Sequence, residues 1–151
     1  MREVFQNIGL AKVSTSAEYA MRLLYLRPQD RISMNLDRLV HDAKAVVLQL
    51  ASTGYRPPVP VELPAFGEPL AAELKLGIYL MREGGHITDY DSHIARELAN
   101  VICGGDTTRT SSAPEQHFLD LEREAFKSLC GQPKTLARME HLLKKGRVLR
   151  N

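Results

Sequence analysis

An all-α fold is what this sequence predicts, and three observations carry the prediction. Apolar residues recur with a helical period of 3.6 in one segment after another. Most of these stripes run out at a glycine: Gly54, Gly84, Gly104, Gly131 and Gly146. The starts carry capping residues or prolines. No stretch alternates strictly enough for a strand. The expected architecture is an irregular bundle of about six to seven helices with a Pro-rich connector.

The first pattern, residues 2–8, places Val4, Phe5 and Ile8 on one side and begins with no cap and no lead-in. A chain that opens inside a helix is expected to be a piece of something longer. A second helix, near 16–25, starts at Thr15, which stands three residues before Glu18 in capping-box form. The third, near 34–53, carries the strongest stripe: Leu36, Leu39, Val40, Ala43, Val47 and Leu50. Gly54 suits the left-handed position that closes it, and Pro57, Pro58 and Pro60 forbid continuation.

"PPVPVELPAF" (57–66) alternates a little, but its four prolines predict an extended, polyproline-like connector. Beyond it, Leu70, Leu74, Ile78 and Met81 predict a helix over 69–83, closed by Gly84-Gly85. Tyr90, Ile94, Leu98, Val101 and Ile102 predict one over 89–103, with Thr88 and Asp91 as an acidic variant of the capping box. Phe118, Leu121, Ala125 and Leu129 predict 114–130, with Ser112 and Glu115 as its capping box. Leu136, Met139 and Leu143 predict 133–145. Pro69, Pro114 and Pro133 fall in first turns, where proline costs no hydrogen bond. The connector divides the chain into 1–54, a linking stretch 55–68, and a part spanning 67–151, with no internal repeat.

The run "NVICGGDTTRTSS" (100–112) has the composition of a phosphate cradle. It follows a helix, whereas anion loops lead into a helix N-terminus, so "CGGD" reads as a helix stop. "GHITDYDSH" brings His86, Asp89, Asp91 and His93 together, and Asp89 and His93 could share a helix face. No third ligand stands at fixed spacing, so a capped helix start with acids at the positive dipole end is the reading, and no metal site is assigned. His41, His117 and His141 each stand alone in a helical pattern. Cys103 and Cys130 precede helix-ending glycines, whereas a nucleophilic cysteine usually sits at a helix N-terminus; both read as small core residues rather than nucleophiles. Asp120, Glu122 and Glu124 interleave with Arg123 and Lys127 as a solvated helix face. No catalytic residue is assigned, and cofactor-binding residues are left unassigned.

The 151 residues suit one domain with a real core, at 44% hydrophobic and 25% charged. A net charge of +2 and 6% aromatic residues argue against a nucleic-acid partner. There is no membrane-length apolar run and no signal-peptide pattern. Two cysteines fit a reducing compartment, so a cytoplasmic location is expected. From Lys134 to Asn151 six basic residues (Lys134, Arg138, Lys144, Lys145, Arg147 and Arg150) stand against Glu140 alone, and such a tail suits an anionic partner.

Longer strings carry a resemblance. "KVSTSAEYAMRLLYLRPQDRISMNLDRLVHDAKAVVLQLASTGYRPP" resembles the end of the enoyl-CoA hydratase (crotonase-like) module of bifunctional 3-hydroxyacyl-CoA dehydrogenase/enoyl-CoA hydratases of fatty-acid β-oxidation. "LMREGGHITDYDSHIARELANVICGGD" and "FLDLEREAFKSLCGQPKTLARMEHLLKKGRVLRN" resemble the C-terminal extension of the same proteins, up to its natural end. The resemblance implies NAD and a CoA thioester for the full-length family, which is both oxidoreductase and lyase. It implies upstream dehydrogenase and crotonase domains as partners, with a homo-oligomer as a further possibility. The family's catalytic motifs lie upstream, and GxGxxG is absent here. The expected role is therefore structural: completing the acyl-CoA-handling module and packing domains or subunits, with residues 1–54 offering their apolar stripes to a partner. The alternative is an independent helical binding module whose basic tail contacts an anionic partner such as CoA phosphates or an acidic protein face.

Overall fold

The structure is a computed structural model that describes residues 1–151. Seven α-helices dominate it: α1 (Arg2–Gly9), α2 (Ala17–Arg22), α3 (Leu39–Ser52), α4 (Gly67–Glu83), α5 (Asp89–Cys103), α6 (Glu115–Cys130) and α7 (Pro133–Lys145). The all-α expectation holds, with two local additions. A 3-10 turn over Leu36–Arg38 leads into α3, so the helix expected from 34 starts as a tighter coil. Asn35 caps that turn by accepting from the Asp37 N–H. The second addition is a small sheet. Strands β1 (Glu62–Ala65) and β2 (Ser111–Pro114) pair antiparallel, with Leu63 opposite Ala113 and Pro64 opposite Ser112.

That sheet corrects the reading of 57–66 as purely polyproline-like. The prolines hold the backbone extended, and a two-stranded ribbon has free edges where a missing N–H costs nothing. It also corrects one cap. Ser112 lies in β2 and cannot start α6; Pro114 takes the N-cap position, with no side-chain cap. At α2 the cap moves by one residue, to Ser16, whose side chain accepts from the Tyr19 N–H at 3.0 Å. The Thr88–Asp91 capping box at α5 forms in full.

The chain divides into two compact units, Met1–Leu10 with Pro60–Asn151, and Ala11–Val59. Residues 1–10 and 11–54, which the connector-based reading groups together, therefore fall in different units. The reason is Phe5. It joins Ala71, Leu74 and Ile78 of α4 and Ala99 and Cys103 of α5 in one buried cluster, flanked by Leu70, Ile87, Ala95, Leu98 and Ile102. Arg2 also forms an ion pair with Glu73. A short helix with one large buried aromatic gains more from this cluster than from any contact within its own eight residues.

Glycine shapes one junction decisively. Gly104 closes α5 in the left-handed conformation, φ +83°, and a Cβ there would lie 2.5 Å from the Ala65 Cβ. The glycine thus ends the helix and lets β1 pass against it. "CGGD" is a helix stop, as the sequence predicts.

In the unit Ala11–Val59, Tyr25 Oη donates to the Lys12 carbonyl at 2.7 Å, and Arg31 donates to the Gln49 side chain at 3.1 Å. Helix α2 ends in a Schellman arrangement, with Tyr25 N–H on the Ala20 carbonyl and Leu24 N–H on the Met21 carbonyl. The position that glycine normally takes in that motif is held by Leu24, at φ +65°.

Candidate docking surface

The α3 stripe predicted from the sequence is present, and it faces solvent. Leu36 is 82% and Val40 81% exposed; Leu39, Val47, Leu48 and Leu50 are exposed too, and α3 buries none of its residues. Beside it runs an open groove of about 600 Å³, lined by Ile32, Ser33, Leu39, Ala43, Val46 and Gln49 among others. Met34 lies nearby in the chain and is almost fully exposed. An apolar helix flank left in water costs free energy, because each Leu or Val that a partner buried would contribute ~1.5–3 kcal/mol. Exposed apolar surface of this kind makes the flank the chain's candidate docking surface. One polar anchor fixes its edge: Ser33 Oγ donates to Asp42 Oδ2 at 2.5 Å. That hydrogen bond holds the Asp42 carboxyl below the usual carboxylate range, with Arg38 adding to the effect against a desolvation penalty.

The polar residues of "GHITDYDSH" are drawn into a different arrangement, a closed clamp between α5 and α7. Arg138 donates to Asp91 Oδ1 at 2.7 Å, to Asn151 Oδ1 at 2.8 Å and to the Asn151 main-chain oxygen at 3.3 Å. Its guanidinium lies 5.1 Å from the centre of the Tyr90 ring. Thr88 Oγ1 reaches the same Asn151 oxygen at 3.1 Å, and Tyr90 Oη bonds Thr135 Oγ1 at 2.7 Å. Burial alone pushes the Asp91 carboxyl up. Hydrogen bonds from the Thr88 backbone and the Arg138 guanidinium outweigh it, so the net shift is downward. These hydrogen bonds and the ion pair tie α5, α7 and Asn151 together.

The other candidates separate. Asp89 pairs with Arg82 at 2.6 Å, and His93 lies beside the Tyr90 ring. His86 packs near the Gly84 backbone, and no three His, Cys, Asp or Glu side chains converge as metal ligands. His117 Nε2 bonds the Gly104 carbonyl at 2.9 Å, which ties α6 to the end of α5. Asp120 pairs with Arg123 and Glu124 with Lys127 on the surface, the solvated face expected. Cys103 is fully buried, and burial pushes its thiol pKa up; Cys130 is half-buried. Sequence reasoning missed the role of Asn151. A single Asn carries no periodic signal, and its partners lie 13 and 63 residues away in sequence.

The residues present do not fit NAD. Its pyrophosphate needs a glycine-rich turn leading from a strand into a helix N-terminus. Here Gly84-Gly85 and Gly104-Gly105 follow helix C-termini, where the dipole is negative, and the sheet has two short strands.

Comparison with known proteins gives one strong similarity. Over 149 residues, 99% of this chain, the sequence is 44% identical to a probable 3-hydroxyacyl-CoA dehydrogenase of Bacillus subtilis (strain 168). The chain spans 19% of the length of that relative. No protein-family model matches the chain, and no solved structure matches it. No helix is long and apolar enough to cross a membrane.

Proposed function

We propose that the chain is a helical portion of a fatty-acid β-oxidation enzyme of the 3-hydroxyacyl-CoA dehydrogenase/enoyl-CoA hydratase type, and that its role there is structural. The observation that carries this reading is the 44% identity running through 99% of the chain, against one fifth of a dehydrogenase's length. A match from end to end that covers only part of the relative supports a place in a larger assembly of domains. We read it, on the sequence resemblance, as the C-terminal helical extension, with residues before the connector as the helical end of a crotonase-like module.

The exposed apolar flank of α3 supports the same reading. In an assembled enzyme that flank is covered by the dehydrogenase or crotonase domains of the parent chain, and acyl-CoA handling depends on the packing it provides. NAD and the CoA thioester are then bound elsewhere in the parent, in keeping with the lack of a pyrophosphate turn here. The isolated chain has neither hydratase nor dehydrogenase activity.

The test uses the Bacillus subtilis relative. Its matching 149 residues are deleted, or replaced by this chain, and NAD-dependent oxidation of 3-hydroxybutyryl-CoA is measured together with solubility. The deletion is expected to lose soluble, active enzyme and the chimera to recover it. A deletion variant that stays soluble and fully active would overturn the structural role. Crotonyl-CoA hydration by this chain alone would overturn the absence of catalysis.

A further inference from the structure

The residues after α7 do not trail away from it. Gly146 turns the chain in the left-handed conformation, and Asn151 Nδ2 donates to the Lys134 carbonyl at 3.3 Å, at the opposite end of the helix. Thirteen helical residues span ~20 Å, and six residues from 146 to 151 cover about that distance only when extended. The segment therefore runs back along α7 as an extended strap, pinned at its end by Arg138 and Thr88.

This fold-back concentrates charge. It sets Arg147 and Arg150 alongside the helix that already carries Lys134, Lys144 and Lys145. Residues 142–148 form an unbroken exposed run, and within it Leu143 is 87% and Val148 74% exposed. The acids of the neighbourhood are already engaged: Glu140 pairs with Lys144, and Asp91 with Arg138. Lys145, Arg147 and Arg150 form no ion pair within the chain.

We infer that this basic, apolar-studded hairpin of α7 and its strap is a docking surface for an anionic lipid surface. The argument is one of charge and shape. A compact phosphate ligand needs donors that converge in a cradle; here exposed cations are strung along the helix end and the extended strap, with exposed leucine and valine among them. A planar anionic surface requires no convergence. It attracts each cation near it and receives apolar side chains at the headgroup boundary. The surface belongs to a different unit of the chain from α3, and its binding is independent of the structural role proposed above.

The experiment is co-sedimentation of the 151-residue chain with vesicles of phosphatidylcholine alone, or with about a third phosphatidylglycerol. Binding is expected to the anionic vesicles only, and to weaken as salt rises. Lys145→Gln/Arg147→Gln/Arg150→Gln together are expected to weaken partitioning about a hundredfold, and Leu143→Ser/Val148→Ser by about tenfold, with the helical circular dichroism unchanged. If the triple variant loses helix signal, single Lys145→Gln and Arg147→Gln substitutions decide, each expected about fivefold weaker. Equal sedimentation with both vesicles, or unchanged binding by the variants, overturns the inference. So does retention on immobilised polyglutamate without vesicle binding, which would point to an acidic protein face.

Discussion

Replacing Arg138 by methionine is the sharpest test of how the α5–α7 junction is held. The substitution keeps most of the aliphatic stem and removes the guanidinium. Three hydrogen bonds go, to Asp91 Oδ1, Asn151 Oδ1 and the Asn151 main-chain oxygen, along with the contact over Tyr90. Arg138 and Asp91 are 17% and 20% exposed at their side chains. Breaking a fully buried ion pair by removing one partner costs about 3–5 kcal/mol, and an exposed pair contributes under ~1 kcal/mol. A pair one-fifth exposed falls between, so ~2 kcal/mol is expected. For a unit of this size that lowers the melting temperature by about 10 °C. The assay is thermal unfolding by circular dichroism, with hydrogen exchange on the α5 amides to localise the loss. Arg138→Lys should recover little, since a single ammonium cannot span Asp91 and Asn151 as the planar fork does. The pH dependence has a definite sign. Asp91 has a folded-state pKa below its unfolded value, so its contribution is present above about pH 4 and is lost as pH falls through the folded value. Asp91→Asn should therefore flatten the acid limb of the stability curve. A melting temperature within about 2 °C of wild type for Arg138→Met would refute the reasoning.

The glycine at the end of α5 and the one after α3 should respond differently to alanine. Gly104→Ala meets both left-handed strain and the Ala65 Cβ at 2.5 Å, so ~3 kcal/mol is expected in urea unfolding; Gly54→Ala at φ +73° meets open space and should cost ~1 kcal/mol. Leu24→Gly relieves a left-handed leucine that is 65% exposed, and denaturant titration should show a gain of ~0.5–1 kcal/mol. A loss there would mean that the Leu24 side chain has contacts worth more than its strain. Labelling with an aromatic disulfide reagent should modify Cys130 first, with Cys103 reacting only on unfolding, because burial keeps its thiol protonated and covered. Val40→Lys should leave the isolated chain's stability within ~0.5 kcal/mol while impairing assembly of the Bacillus subtilis chimera; an unimpaired chimera would remove α3 from the interface.

The local grammar of this chain was legible without coordinates because helix-coding signals are local. Residues 89–103 and 133–145 became helices with the bounds read from stripe, cap and glycine. Thr88 bonds its own first turn, so its box could be found by spacing alone. Cys103 before Gly104 was likewise readable as a core residue at a helix end. The apolar α3 stripe was visible too, although periodicity states which residues share a face and not whether anything covers it.

What only the tertiary structure decided depends on residues far apart in sequence. Four-residue strands carry too little alternation to detect, and β1 exists because β2, some fifty residues later, supplies its hydrogen bonds. That pairing turned Ser112 from a cap into a strand residue. Phe5 could not announce that it would leave its sequence neighbours for α4 and α5, since burial rewards whichever apolar surface is near in space. Asn151 gained its role from Arg138 and Thr88, and Arg147 and Arg150 gained theirs from the strap that Asn151 pins along α7. Helix starts and stops are local hydrogen-bonding choices, fixed within a turn or two of chain. Strand partners, core membership and the clustering of charge are long-range, and they are settled only when loop closure is offset by the contacts it allows.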